Sequence, residues 1–97
     1  MPKTRTHEDA MLDSLRRDPQ FAAAYLTEVF ADGDQAEMML ALRRVAQAHG
    51  GVAAVAQAAR LNENTLYRTL SPKGNPELRS LHALLQALGM RLAIQPA

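Results

Sequence analysis

Apolar positions along the chain recur with a helical period from near the start to about residue 89. Residues Phe21, Tyr25 and Val29 illustrate the spacing of three to four positions. Polar residues able to cap a helix with a side-chain oxygen precede each such run, and two are followed by proline, which suits a first helical turn. These predicted starts are Thr6, Asp18, Asp34, Asn62 and Asn75. The pattern predicts an all-α fold of five to six helices.

The end of the chain combines a leucine-rich helix with a change of period. Five leucines at helical spacing are predicted to be buried behind the loop-like residues 71–76, and Gly89 is predicted to end their helix. The leucines are Leu78, Leu81, Leu84, Leu85 and Leu88. Beyond them, Met90, Leu92 and Ile94 alternate with other residues, which predicts a short strand over residues 90–95. A lone strand needs a partner, such as the symmetric mate of a homodimer, and the alternative is a frayed tail.

The segment from Val52 to Leu70 has the spacing of a helix-turn-helix, whose second helix enters the major groove of DNA. Ala56 is small enough for two short helices to cross at a tight corner, and Leu61 fills the bend. Leu66, together with Leu70, would hold the second helix against the core. The sequence therefore predicts a DNA-reading unit within residues 52–70.

Arg60 departs from the common pattern at this corner. Glycine usually occupies the position because it has no Cβ to clash in a left-handed backbone conformation. Arg60 must either adopt that conformation, at a cost of about 1 kcal/mol, or avoid it.

The outward face of the second helix carries polar side chains suited to DNA. At roughly 100° per residue, Asn64, Tyr67 and Arg68 lie about half a turn away from the buried stripe. Arginine pairs with guanine and asparagine with adenine. The candidate DNA-binding residues are Asn62, Glu63, Asn64, Thr65, Tyr67, Arg68, Ser71, Lys73 and Arg79, the last two as phosphate contacts. The alternative is an ordinary solvated helix face.

Charge is distributed unevenly along the 97 residues, although the net charge is only +1. Residues 1–50 carry six basic and eight acidic groups, whereas residues 51–97 carry five basic and two acidic groups. The positive half is the one that could approach a polyanion. Because this charge is modest, a homodimer on two half-sites would bind DNA better than a single subunit.

The composition argues against an enzyme, a cofactor or a membrane protein. There is no cysteine, the start lacks a signal peptide, and no apolar run approaches the ~20 residues of a membrane helix, so we expect a cytoplasmic protein. His7, His49 and His82 lie far apart and lack metal-ligand spacing. The serines have no evident acid-base partner, and we expect neither metal nor cofactor.

Two segments resemble a known family. Residues 66–76 read Leu-Tyr-x-x-Leu-Ser-x-x-Gly-Asn-Pro and residues 87–92 read Ala-Leu-Gly-x-x-Leu. With the acidic N-terminal helices, they resemble addiction-module antidote proteins, which are HigA-like antitoxins with a Cro/Xre-type helix-turn-helix. The resemblance runs from about Glu8 to Ile94. It implies a lambda-repressor-like domain that represses its own promoter and binds a toxin of the RelE/ParE superfamily, with Asn64, Thr65, Tyr67 and Arg68 reading double-stranded DNA.

We expect a single domain over residues 1–97, with a helical extension (1–33), a DNA-binding core (34–89) and the possible strand (90–95). The extension is net acidic, with four basic and six acidic residues. It could form an arm that covers a basic toxin. Alternatively, its apolar residues complete the core or a dimer interface; these are Phe21, Tyr25, Val29 and Phe30.

Three functional hypotheses remain from the sequence. The first is an antitoxin that represses its own operon. The second is a plain helix-turn-helix regulator, for example one of phage origin, without a toxin partner. The third is a helical protein-interaction module that reuses the fold. DNA binding separates the first two hypotheses from the third.

Overall fold

A computed structural model describes residues 6–97, which form six α-helices and no strand. The helices are α1 (His7–Arg17), α2 (Pro19–Asp32), α3 (Gln35–Ala48), α4 (Val52–Ala59), α5 (Glu63–Thr69) and α6 (Leu78–Ala87). The all-α prediction is thus confirmed for this part of the chain. None of these helices is long and apolar enough to cross a membrane.

Side-chain caps start the first three helices where the sequence predicted them. Thr6 and Asp9 form a capping box, in which the Asp9 N–H donates to Thr6 Oγ1 at 3.0 Å and the Thr6 N–H donates to Asp9 Oδ2 at 3.3 Å. The carboxylates of Asp18 and Asp34 accept backbone N–H groups in the first turns of α2 and α3 at 3.0 to 3.2 Å. These bonds satisfy donors that a helix start leaves unpaired, and they set the helix boundaries locally.

The predicted start of the last helix is wrong. Asn75 does not cap it, because α6 begins at Leu78 with Glu77 as a cap residue whose side chain makes no capping hydrogen bond. The carbonyl of Gly74 accepts a hydrogen bond from Gln35 Nε2 at 2.6 Å, which ties this segment to α3. The chain therefore remains non-helical through Pro76 before it turns into α6.

Helix α3 lies at the centre of the molecule, packed against α1, α2 and α4, while α4 also contacts α5 and α6. The largest side chains with almost no exposed surface come from four of the six helices or their caps. They are Leu15, Leu42, Val45, Leu70 and Leu84. Leu78 is the exception to the predicted leucine stripe: it is 72% exposed, because it lies in the first turn of α6, before the helix meets the core.

The N-terminal helices are part of the packed body. Leu15 of α1 is fully buried, and Tyr25, Val29 and Phe30 of α2 pack against the core, whereas Phe21 is 38% exposed. These contacts favour the interpretation that the extension completes the core over that of a detached arm.

Arg44 joins three helices on this side of the molecule. From α3, its Nε donates to Glu8 Oε1 of α1 at 3.1 Å, and its Nη1 donates to the Tyr25 hydroxyl of α2 at 3.3 Å. The bond to Tyr25 is the largest cause of a raised pKa for the Arg44 guanidinium, to which the charge of Glu8 also contributes. The charged side chain therefore helps to hold α1 and α2 on α3.

The predicted strand over residues 90–95 is also wrong, since no part of this segment is in a strand. A strand requires a neighbouring backbone to complete its hydrogen bonds, and the six helices of the described chain offer none. The segment instead lines a cleft of about 250 Å³ with α2 and α6, in which Leu26, Phe30 and Leu85 form part of the wall. Leu92 is 42% exposed and Ile94 is fully exposed.

We predict that Leu15→Ala lowers the free energy of unfolding by about 2–5 kcal/mol, because it leaves a cavity between α1 and α3. Leu78→Ala removes the same atoms from an exposed position and should change stability by less than about 0.5 kcal/mol. Urea unfolding followed by circular dichroism measures both values. Equal losses for the two variants would contradict the packing of α1 described above.

Candidate nucleic-acid interface

Helices α4 and α5 meet at the corner that the sequence indicated. Val55 and Ala56 of α4 are buried, as are Leu66 and Leu70 at α5, and Leu61 is partly buried between the helices. The small side chain at Ala56 lets the helices approach closely. One stripe of α5 thus faces the core, and the rest of its surface is available to solvent.

The corner contains a strained backbone conformation at Arg60, which is one of the two possibilities that the sequence left open. Arg60 adopts φ 59° and ψ 41°, the left-handed conformation, and the N–H of Leu61 donates to the carbonyl of Ala56 at 2.8 Å. The ends of α3 and α6 have the same arrangement, but with Gly50 and Gly89 at the left-handed position. Arg60 is the only non-glycine residue with positive φ within residues 6–97.

The exposed surface of α5 brings together five of the predicted site residues. They are Glu63, Asn64, Thr65, Tyr67 and Arg68. The Tyr67 ring is 43% exposed, which is high for a large aromatic side chain in a small domain. This surface therefore presents amide, hydroxyl, aromatic and guanidinium groups from a single short helix.

Two other predicted residues use part of their hydrogen-bonding capacity within the protein. Asn62 Oδ1 accepts the N–H of Thr65 at 2.9 Å, which caps α5 as predicted. The Ser71 hydroxyl donates to the carbonyl of Arg68 at 2.7 Å and is half-buried. Asn62 retains its amide NH₂ as a donor and Ser71 retains its oxygen as an acceptor.

The loop after α5 is held close to the helix by Gly74, whose structural role the sequence did not reveal. Gly74 is buried against the backbone of Thr69, where a Cβ atom would collide with the Thr69 carbonyl, and its N–H donates to the Ser71 carbonyl at 2.8 Å. This contact keeps Lys73 exposed directly beside the end of α5. The need for glycine comes from the path by which the loop folds back on Thr69, five residues earlier, and the spacing of apolar residues does not give that path.

Three cations of this region make no ion pair within the described residues 6–97. Arg16, Arg17 and Arg44 each pair with a carboxylate of the N-terminal helices. Within residues 6–97, no such ion pair involves Arg68, Lys73 or the exposed Arg79 of α6. Their positive charge is therefore free to act on an external anion.

Sequence reasoning missed Arg43. This residue lies on α3, yet its guanidinium carbon is 5.8 Å from the centroid of the Tyr67 ring on α5, which is within the range of a cation–π contact. Because Arg43 and Tyr67 belong to separate helices, no periodicity along the chain indicates the pairing.

The fold and this surface define a small all-α protein that exposes a polar helix face with cationic side chains beside it. Over residues 6–96, the chain matches the model of a family described as "probable addiction module antidote protein". The chain belongs to this family of addiction-module antidotes. No curated protein and no solved structure matches it.

We predict that Arg60→Gly raises the free energy of unfolding by about 1 kcal/mol, because glycine removes the Cβ strain at positive φ. Ala54→Gly, in the middle of α4, should lower it by a similar amount, since helical backbone gives glycine no such advantage. Urea unfolding of both variants measures the difference. A destabilised Arg60→Gly variant would argue against a strained left-handed residue at the corner.

Proposed function

We propose that this chain is a DNA-binding antitoxin of a type II toxin–antitoxin module, which represses its own operon and neutralises a toxin of the RelE/ParE superfamily. The observation that carries the DNA-binding part is the corner between α4 and α5, which buries one stripe of α5 and leaves its polar stripe exposed. This is the arrangement expected of a helix-turn-helix in a lambda-repressor-like domain.

In this proposal, α5 enters the major groove and reads bases with Asn64 and Arg68. Arginine can donate two hydrogen bonds to guanine, and asparagine can exchange two with adenine. Thr65, Tyr67 and Glu63 flank these residues on the same exposed surface. Their exposure, together with the absence of an internal ion pair for Arg68 in the described chain, supports this assignment.

Phosphate contacts are assigned to the cations that follow α5. Lys73 is exposed beside the helix end, where Gly74 fixes the loop, and Arg79 is exposed on the first turn of α6. Such contacts position a protein on DNA and add affinity without reading sequence. Asn62 and Ser71 would contribute only the polar atoms that their internal hydrogen bonds leave free.

The antidote part of the proposal rests on the family match over residues 6–96. That match favours a toxin partner over a plain regulator, since an antidote has a function only beside a toxin. The superfamily of the toxin follows from the resemblance of residues 66–76 and 87–92 to HigA-like antitoxins.

A homodimer is the third part of the proposal. One subunit presents few cations near α5, and two subunits on half-sites about one helical turn apart would raise affinity and specificity together. Leu92 and Ile94 expose apolar surface beside the cleft between α2 and α6, which offers a candidate contact between subunits.

We predict that Arg68→Ala weakens binding to the DNA upstream of its own gene by about fivefold or more, since a paired arginine–guanine contact contributes about 1–3 kcal/mol. Lys73→Ala should weaken binding to all sequences about equally and lower the salt dependence by about one counterion. Fluorescence anisotropy with upstream and scrambled duplexes measures both effects.

Arg17→Ala is the matched control, because this arginine lies on α1 and pairs with Asp13 at 3.4 Å. It should leave DNA affinity unchanged, and the far-UV circular dichroism of all variants should retain the helical signal. An Arg68→Ala variant that binds the upstream DNA as tightly as the parent protein would remove the base-reading assignment.

We also predict that light scattering at micromolar concentration gives twice the chain mass of 10.6 kDa. Ile94→Lys should shift the protein towards the monomer, because a buried ammonium at a subunit contact is unfavourable. A parent protein that is monomeric at this concentration would contradict the homodimer.

A further inference from the structure

Two adjacent arginines on α3 have opposite surroundings. Arg44 is bonded to Glu8 and Tyr25, as described above. Arg43 has no ion pair with any carboxylate within residues 6–97, and its one described side-chain partner is the Tyr67 ring. Arg43 therefore does not share the role of Arg44, which helps to hold α1 and α2 on α3.

We propose that Arg43 is an additional DNA-backbone contact, supplied by α3, and that the Tyr67 ring positions its guanidinium towards a phosphate. This inference rests on the proposed DNA-binding function. It adds a second helix to the interface and assigns Tyr67 a role other than base reading.

The contact leaves the guanidinium free to bind an anion. Its carbon lies over the Tyr67 ring, 5.8 Å from the centroid, and no N–H group of Arg43 donates a hydrogen bond within residues 6–97. Those N–H groups match the oxygens of a phosphate and form charge-assisted hydrogen bonds with it. Because Tyr67 is 43% exposed on α5, the guanidinium over its ring lies beside the surface that carries Asn64 and Arg68.

Helix α3 is a rigid base for such a contact. The flanking residues Leu42 and Val45 have no exposed surface, and Arg43 itself is half-buried. Its side chain therefore begins from a fixed backbone and is restrained again by the ring, which lowers the conformational entropy lost on binding. Lys73, in the loop between α5 and α6, has no aromatic ring against its side chain within residues 6–97.

Salt-dependent binding to a mixed-sequence DNA duplex of about two helical turns tests this inference, because a phosphate contact is independent of base sequence. Arg43→Ala should weaken binding and lower the slope of log affinity against log salt by about 0.9, the value for one phosphate. Arg43→Gln, which keeps a polar side chain but removes the charge, should lower the slope equally. Arg17→Ala should leave the slope unchanged.

Tyr67→Leu separates the two roles. It keeps the Arg43 charge and removes the ring, so affinity should fall about two- to fivefold while the slope stays close to that of the parent protein. In the Arg43→Ala background, the same change should have a smaller effect, because the two residues act as a pair. Equal effects in both backgrounds would overturn the positioning role of Tyr67.

The outcomes distinguish this inference from the function on which it rests. If both Arg43 variants keep the parental slope while Lys73→Ala lowers it, the Arg43 contact is wrong and DNA binding stands. If the parent protein binds neither the mixed-sequence duplex nor the DNA upstream of its gene, the DNA-binding function fails and this inference fails with it.

Discussion

The candidate interface depends on the burial of one stripe of α5 by Leu66 and Leu70. A seven-residue helix is too short to be stable alone in water, so it exists here because this stripe packs on the core and Asn62 caps its first turn. The same packing turns the opposite stripe towards solvent. Arg60 fixes the direction in which α5 leaves α4, and Gly74 closes the loop behind it.

The support beneath this short helix comes from the whole chain. Helix α3 contacts α4 on one side and the N-terminal helices on the other. Leu15 and the Arg44 bonds to Glu8 and Tyr25 fasten those helices to α3. A domain of this size has little buried surface to spare, so α1 and α2 supply packing that the remaining helices lack.

Local chemistry was predictable from the sequence, whereas contacts between distant segments were not. Asp18 caps α2 as predicted, because an N-cap acts only on the residues that follow it. Asn75 does not cap α6 as predicted, because its loop is held to α3. Leu78 is exposed because the start of α6 projects beyond the core. Residues 90–95, with their alternating pattern, do not form the predicted strand because the described chain offers no other strand to pair with. The Arg43–Tyr67 contact joins two helices, and no spacing rule contains that information.

The most direct test of the antidote assignment is a growth-rescue experiment with the small gene adjacent to this one. That gene would be expressed from an unrelated inducible promoter, so that repression by the antidote cannot lower its transcription. We predict that the neighbour kills the host alone, and that this protein and its Arg68→Ala variant both restore growth, because neutralisation acts between proteins. A harmless neighbour, or one that kills equally when this protein is present, would contradict the account and leave only the proposed DNA binding.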